Sequence, residues 1–420
     1  MSVTPLLYAE VTSFPNLHTP FLERASRPGN RERSHALGAF LTLRAVDRVA
    51  ENGVIDGLAY QLRACANYLE QLHPSTNEVS HLRDIVRVAQ EVLRVGSRVL
   101  MWAPLLAFAF WLENEMRLDE ALDVLETSLR FGDGLSAEET AARLQLARVL
   151  KLAGRFVESL RAYDQAAAMA SGRGDWRSEM VSKIGRAEVK RKTGDLRHAE
   201  RELRYVLSVA RKRPDQFIEA RALHDLAVVA FHADRATEAV PLAFRAFELY
   251  DDAHQRGRAL NDVGMFLKGL GHYTAAKEAF LLVLRDEIGE RQAKTELELL
   301  ELASLVQDRL GFERWRRELN AKSERLLPED RVDFEIKLGI GLAGFESPDE
   351  ALFRLNQGVA IAEKYGFGQR VFEAERLIAE IKEGNSVVTK TMSPSLETTS
   401  TAPEFQDAID ALYALSSGST

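Results

Sequence analysis

The stretch LAGRFVESLRAYDQAAAMA, Leu152–Ala170, decides the fold, because it is one copy of a unit the chain repeats. A glycine, Gly154, stands at its head, and Phe156 follows two residues later. Small and large apolar residues then recur three and four apart, the spacing of one helical face. The same shape returns in RLDEALDVLETSL, DLRHAERELRYVL, RATEAVPLAFRAF and HYTAAKEAFLLVL, and in looser form in FERWRRELNAKS and SPDEALFRLNQGV. Aligned, the seven copies place Ala121, Ser159, Ala199, Ala239, Ala276, Trp315 and Ala351 at one anchor position, 36 to 40 residues apart. Twelve residues before each anchor is another small residue: Ala109, Ala147, Ala187, Ala227, Gly264, Ala303 or Gly339. Four residues after each anchor the residue is apolar, from Leu125 and Tyr163 through Phe280 to Leu355.

A period of this length with this internal spacing means two helices per unit. Small side chains let the paired helices approach where they cross, while larger ones three and four away fill the grooves beside the crossing. Gly154, Gly194 and Gly271 end the first helix through a left-handed turn. Met116 and Asp234 replace that glycine in two copies, and those turns are expected to use another geometry. Trp315 at a small-residue position predicts a sixth unit with a wider crossing.

These residues resemble tetratricopeptide (TPR) repeats: the small residue of the first helix, the glycine followed two residues later by Leu118, Phe156, Leu196 or Tyr273, then the small and apolar residues of the second. The longer period is similar to the extended repeats in sensor domains of bacterial regulators of the MalT and Rap kinds. The resemblance implies an all-α, right-handed α-solenoid. The expected organisation is a disordered segment over 1–30, degenerate capping helices over 31–97 and seven repeats over 98–366. A cap helix over 367–384 follows, with Val371, Phe372, Leu377, Ile378 and Ile381 on one face, then a Ser/Thr-rich linker over 385–403. Last comes an amphipathic tail helix over 404–420, whose Phe405, Ile409, Leu412 and Leu415 form a docking motif. HEAT and armadillo repeats share the period but lack the twelve-residue pairing of small positions.

Composition agrees with a soluble helical protein and narrows its chemistry. The chain is 46% hydrophobic and 28% charged, with only 12 prolines. Its single cysteine, Cys65, excludes an intramolecular disulfide and a cysteine-based zinc site. The N-terminus lacks a signal-peptide pattern, so the cytoplasm is the expected compartment. The most apolar run, Val99–Leu112, is shorter than the roughly 20 residues a membrane span needs, so no membrane is expected. No P-loop, glycine-rich dinucleotide loop or HExxH motif is present, which points to no enzyme and no cofactor. His224 and His232, eight apart, do not make a metal set.

The binding surface is then expected on the wall made by the first helices, the usual concave face of a helical solenoid. Its candidate residues are Phe110, Arg148 with Lys151, Arg191 with Lys192, His224 with His232, and Asn261 with Lys268. The segment 173–213 carries 13 Lys/Arg against 6 Asp/Glu in a chain whose net charge is −8. A protein or peptide partner with an acidic or C-terminal carboxylate segment is therefore expected, met by charge-assisted hydrogen bonds. The leading function is a non-enzymatic adaptor holding a peptide or protein segment in that groove, with the tail helix able to dock there intramolecularly. The alternatives are a regulatory sensor that binds a signalling peptide or small molecule and controls a separate transcription factor or kinase, and an RNA-binding repeat protein. The last needs recurring polar code residues, which these positions do not supply.

Overall fold

A computed structural model describes residues 18–27, 29–51, 57–72, 77–134, 136–286, 290–345, 347–384 and 402–417. Among them there are twenty α-helices and no strand. The N-terminal helices are α1 (Thr19–Ser26), α2 (Asn30–Ala50), α3 (Leu58–Glu70) and α4 (Asn77–Val95), with a short 3-10 turn at Arg98–Met101. Seven helix pairs follow: α5 (Trp102–Asn114) with α6 (Leu118–Leu129), α7 (Ala137–Leu152) with α8 (Phe156–Gly172), and α9 (Trp176–Lys192) with α10 (Leu196–Lys212). The others are α11 (Gln216–His232) with α12 (Ala236–Leu249), α13 (Ala253–Gly269) with α14 (Tyr273–Asp286), α15 (Glu290–Leu305) with α16 (Arg309–Lys322), and α17 (Pro328–Gly344) with α18 (Pro348–Tyr365). The chain ends in α19 (Gly368–Lys382) and α20 (Pro403–Ser417). The linker expected at 385–403 lies almost wholly outside the described residues.

Local chemistry explains where the first helices begin. Ser136, Asp175, Asp215 and Asp252 precede α7, α9, α11 and α13, and each side chain accepts from a backbone N–H three residues on. Such a cap is worth about 1 kcal/mol against alanine. The crossings use the small residues as bearings. Ser159 adds a bond of its own, its Oγ donating to the Ala147 carbonyl at 2.7 Å. At Gly264 an added Cβ would stand 2.5 Å from the Phe280 ring, so the ring occupies the space the glycine leaves.

Two expectations about the turns are overturned. Met116 and Asp234 do not use another geometry: both have φ of 57°, in the left-handed region with Gly154, Gly194 and Gly271. In all seven pairs the N–H at the start of the second segment donates to a carbonyl five residues back, from Arg117 to Leu112 through Ser347 to Leu342, at 2.8–2.9 Å. That bond closes the helix end and offsets a left-handed cost of about 1–2 kcal/mol at a non-glycine residue. Gln307, also at φ 57°, marks the sixth turn. Since α16 starts at Arg309, its anchor is Phe312 rather than Trp315, and the sixth small position shifts to Leu300. A large ring thus sits at this crossing, and Gly341 on α17 makes room: a Cβ there would lie 2.7 Å from Phe312 Cζ and 2.5 Å from Ser304 Oγ.

The chain divides into two compact bodies, Met1–Asp195 and Leu196–Thr420, so the boundary falls inside the third helix pair of an array read as continuous from the sequence. In the first body the 1–30 segment is not wholly disordered: α1 packs on α2 and touches α6, with Phe21 fully buried and its ring 6.4 Å from that of Phe108. Arg24 pairs with Glu78 and Glu120, and Arg117 pairs with the same two carboxylates. Buried His18 lies between Asp123 (2.7 Å) and Asp47 (3.2 Å), and Arg130 also meets Asp47 at 3.1 Å. In the second body α20 packs against α12 and α14, burying Phe405, Ala408, Ile409 and Leu412. Leu415, placed in the tail's apolar face from sequence, is instead 40% exposed. On α19 Leu377 and Ala374 are buried but Phe372, counted with the packed face, is 71% exposed, because it points about 100° round the helix from Val371, which belongs to the packed stripe.

Candidate binding surface on the first helices

In the first body, Phe110 and Glu113 on α5, Arg148 and Lys151 on α7 and Glu188 on α9 stand at related positions. Two positions matter in each first helix: one residue after the small residue, and four residues after it. Glu113, four after Ala109, accepts from Arg148, one after Ala147, at 2.7 Å. Lys151, four after Ala147, pairs with Glu188, one after Ala187. The Arg148 guanidinium also lies over the half-exposed Phe110 ring, 5.5 Å from its centre. Neighbouring first helices are therefore tied by one ionic rung per step.

The second body repeats the device with more charge. Lys268, four after Gly264, meets Glu301, one after Leu300 at the corrected sixth position, at 2.8 Å, and Glu298 at 2.5 Å. From the next first helix Lys337 reaches the same two carboxylates at 2.5 and 2.7 Å. Burial opposes ionisation of Glu301, but Lys337 and Lys268 outweigh it and bring the carboxyl to about 2. Burial likewise disfavours the Lys337 cation, yet Glu298 and Glu301 hold its ammonium above the ordinary lysine value. Next to this tetrad, Thr295 Oγ1 donates to Asn261 Oδ1 at 3.2 Å. That bond orients the Asn261 amide and leaves its Nδ2 as a donor. His224 Nε2 pairs with Asp262 at 2.8 Å, and burial raises the nearby Tyr250 phenol well above its ordinary value.

Of the residues singled out from sequence, the structure brings Phe110 and Arg148 together in the first body, while Lys151, His224, Asn261 and Lys268 each meet a residue that was not singled out. Arg148, Lys151 and Lys268 are not a row of cations waiting for an acidic segment; each has a carboxylate from an adjacent first helix. His224 is buried, at 4% exposure, against the expectation that it lines an open groove. His232 is exposed at the end of α11, beside Phe231. Arg191 and Lys192 end α9, where cations complement the helix dipole. Sequence reasoning missed Glu113, Glu188, Glu298, Glu301 and Lys337. For Glu113, Glu188 and Glu301 the signal was present as opposite charges at the one-after and four-after positions of successive units, hidden in the sixth by the three-residue register error; Glu298 and Lys337 stand two residues before their small positions, outside that pattern. Among the described residues no group of three or more His, Cys, Asp or Glu has a metal-holding arrangement, and no described helix is long and apolar enough to cross a membrane.

No family model matches the chain, and no curated protein does. Solved structures share the fold. The Rap conjugation gene regulator of the plasmid pLS20, in complex with the Phr* peptide, is 12% identical, with a TM-score of 0.50 over 83% of this chain and 97% of that one. A Rap protein complexed with competence and sporulation factor is 12% identical, with a TM-score of 0.48 over 86% and 99%. Aspartyl phosphate phosphatase F from Bacillus subtilis is 14% identical, with 0.47 over 84% and 95%. With its paired small residues, its recurring left-handed turns and this likeness of fold, the chain is a TPR-like helical-repeat protein.

Proposed function

We propose that the protein is a non-enzymatic adaptor or regulator that seats a peptide or protein segment along its first helices. The observation that carries this reading is the polar ladder itself. Its groups are held by partners on neighbouring helices before any ligand arrives, so little side-chain entropy is lost on binding. Asn261 is the best placed of them, with an oriented amide able to donate to a peptide carbonyl. A Rap regulator of similar fold holds a Phr* peptide, so this fold is one in which a peptide can sit. Because the Lys268, Lys337, Glu298 and Glu301 tetrad beside Asn261 is charge-balanced, the ligand it suits is an extended segment bound through backbone amides and carbonyls.

The test is selection of binders from a random-peptide library on the immobilised full chain, followed by fluorescence anisotropy. Asn261→Ala should weaken a selected peptide about tenfold, or ~1.4 kcal/mol, while Arg87→Ala, exposed on α4 of the first body, should not. Peptides indifferent to Asn261→Ala, or retention of RNA alone, would remove the proposal.

A further inference from the structure

The tail helix reveals what the face made by the second helices of the second body can hold. α20 lies against α12 and α14 with Phe405, Ile409 and Leu412, spaced four and three apart, turned inward. The Phe405 ring stands 5.3 Å from that of His272, and Ser416 bonds Glu278. One step along, the corresponding groove between α14 and α16 carries no helix among the described residues. It is a half-open cavity of about 310 Å³, walled by Leu281 and Trp315 and floored by α15 through Leu302 and Val306. At its lip Leu310 is 86% exposed, the highest value among the large apolar side chains of the described residues, and Val306 is 46% exposed. Exposed apolar surface beside an occupied groove of the same construction marks an interaction site.

Charge selects the occupant. Lys277, half-exposed, and Arg314, exposed above the Trp315 ring, line this groove. Among the described residues the one carboxylate lining it, Asp308, caps α16 and stands 3.9 Å from Lys277. α16 as a whole has five Lys/Arg against two Glu. α20, by contrast, carries Glu404, Asp407 and Asp410 and no cation. We propose that the groove between α14 and α16 binds an acidic amphipathic helix of a partner protein, with apolar residues at the spacing of α20 and carboxylates set against Lys277 and Arg314. This is helix-in-groove recognition on a face distinct from the peptide wall proposed above, and it stands whether or not that wall binds peptide.

The probe is a labelled synthetic peptide with the sequence of Pro403–Ser417, titrated by anisotropy into the full chain. Saturable one-to-one binding is expected, weakened at least tenfold by Leu310→Asp and by Lys277→Glu with Arg314→Glu. Leu310 is nearly fully exposed in the first turn of α16, where an acidic residue is tolerated, so the fold is kept. A peptide bearing Glu404→Lys, Asp407→Lys and Asp410→Lys should bind at least tenfold more weakly than the native sequence. Ile409→Asp in the protein, which unseats α20, should leave the site sensitive to Leu310→Asp unchanged. The proposal is overturned if no saturable binding occurs, or if binding ignores Leu310→Asp and appears only when α20 is unseated, since the peptide then takes the seat of α20. A concentration-dependent dimer abolished by Leu310→Asp would overturn it too, assigning the groove to a second copy of this chain.

Discussion

Gly341→Ala tests the corrected register of the sixth repeat. The added methyl would stand 2.5 Å from Ser304 Oγ and closer still to the Phe312 ring. Ordinary van der Waals contact begins near 3.5 Å, so the ring or the helix must move by about 1 Å. Phe312 is fully buried and Ser304 nearly so, which leaves neither an easy retreat. Overpacking of this kind costs about 1–3 kcal/mol, and with two blocked neighbours the upper end applies. Alanine returns about 1 kcal/mol of helix propensity, for a net loss of roughly 2 kcal/mol. Read by hydrogen exchange on the full chain, this is a roughly 30-fold fall in protection of the α15 and α17 amides. Phe312→Leu, costing about 1 kcal/mol alone, should recover at least 1 kcal/mol of that loss when combined with Gly341→Ala. Additivity within about 0.5 kcal/mol, or stabilisation by Gly341→Ala, would refute Phe312 as the anchor of the crossing.

Three further outcomes follow from the charge networks. Lys337→Met removes one cation from a tetrad whose side chains are mostly buried, and stranding Glu298 and Glu301 should cost about 3 kcal/mol, seen as a lower melting transition; no change would mean that Lys268 alone satisfies both carboxylates. His18 loses by burial but gains more from Asp123 and Asp47, so its folded pKa lies above the ordinary 6.5. Its contribution is complete below that ordinary value and lost as pH rises through the raised one; protection of α1, corrected for intrinsic exchange, should therefore fall on the alkaline side and stay flat in His18→Gln. Arg148→Glu places like charge beside Glu113, and because Arg148 is 43% exposed the loss should stay near 1 kcal/mol and shrink with added salt in thermal melts.

How much of this was legible in the sequence varies by element. The pairing of Ala109 with Ala121, and of Gly264 with Ala276, is local: twelve residues separate the two sides of a helix crossing, and small residues recur there in six of the seven units. The left-handed turns were legible at Gly154 but not at Met116 or Asp234, because a backbone bond five residues back sustains the conformation without a glycine. The sixth repeat misled because Trp315 and Phe312 are both aromatic, both buried and three apart, so only the start of α16 distinguishes them. The candidate surface was half legible. Its cations were found; their neutralisation was not, since each carboxylate arrives from a helix some 30 to 40 residues away.

What the sequence determined by itself is the periodic part: helix pairs, six of the seven crossings and an all-helical fold, set by interactions within one repeat length. What only the tertiary structure decided is non-periodic. It placed α1 on the first body through His18, Phe21 and Arg24, set the tail on α12 and α14 across more than 100 residues, and turned a row of cations into ionic rungs. Those outcomes depend on which surfaces meet in space, and a repeat pattern records only how each unit meets itself.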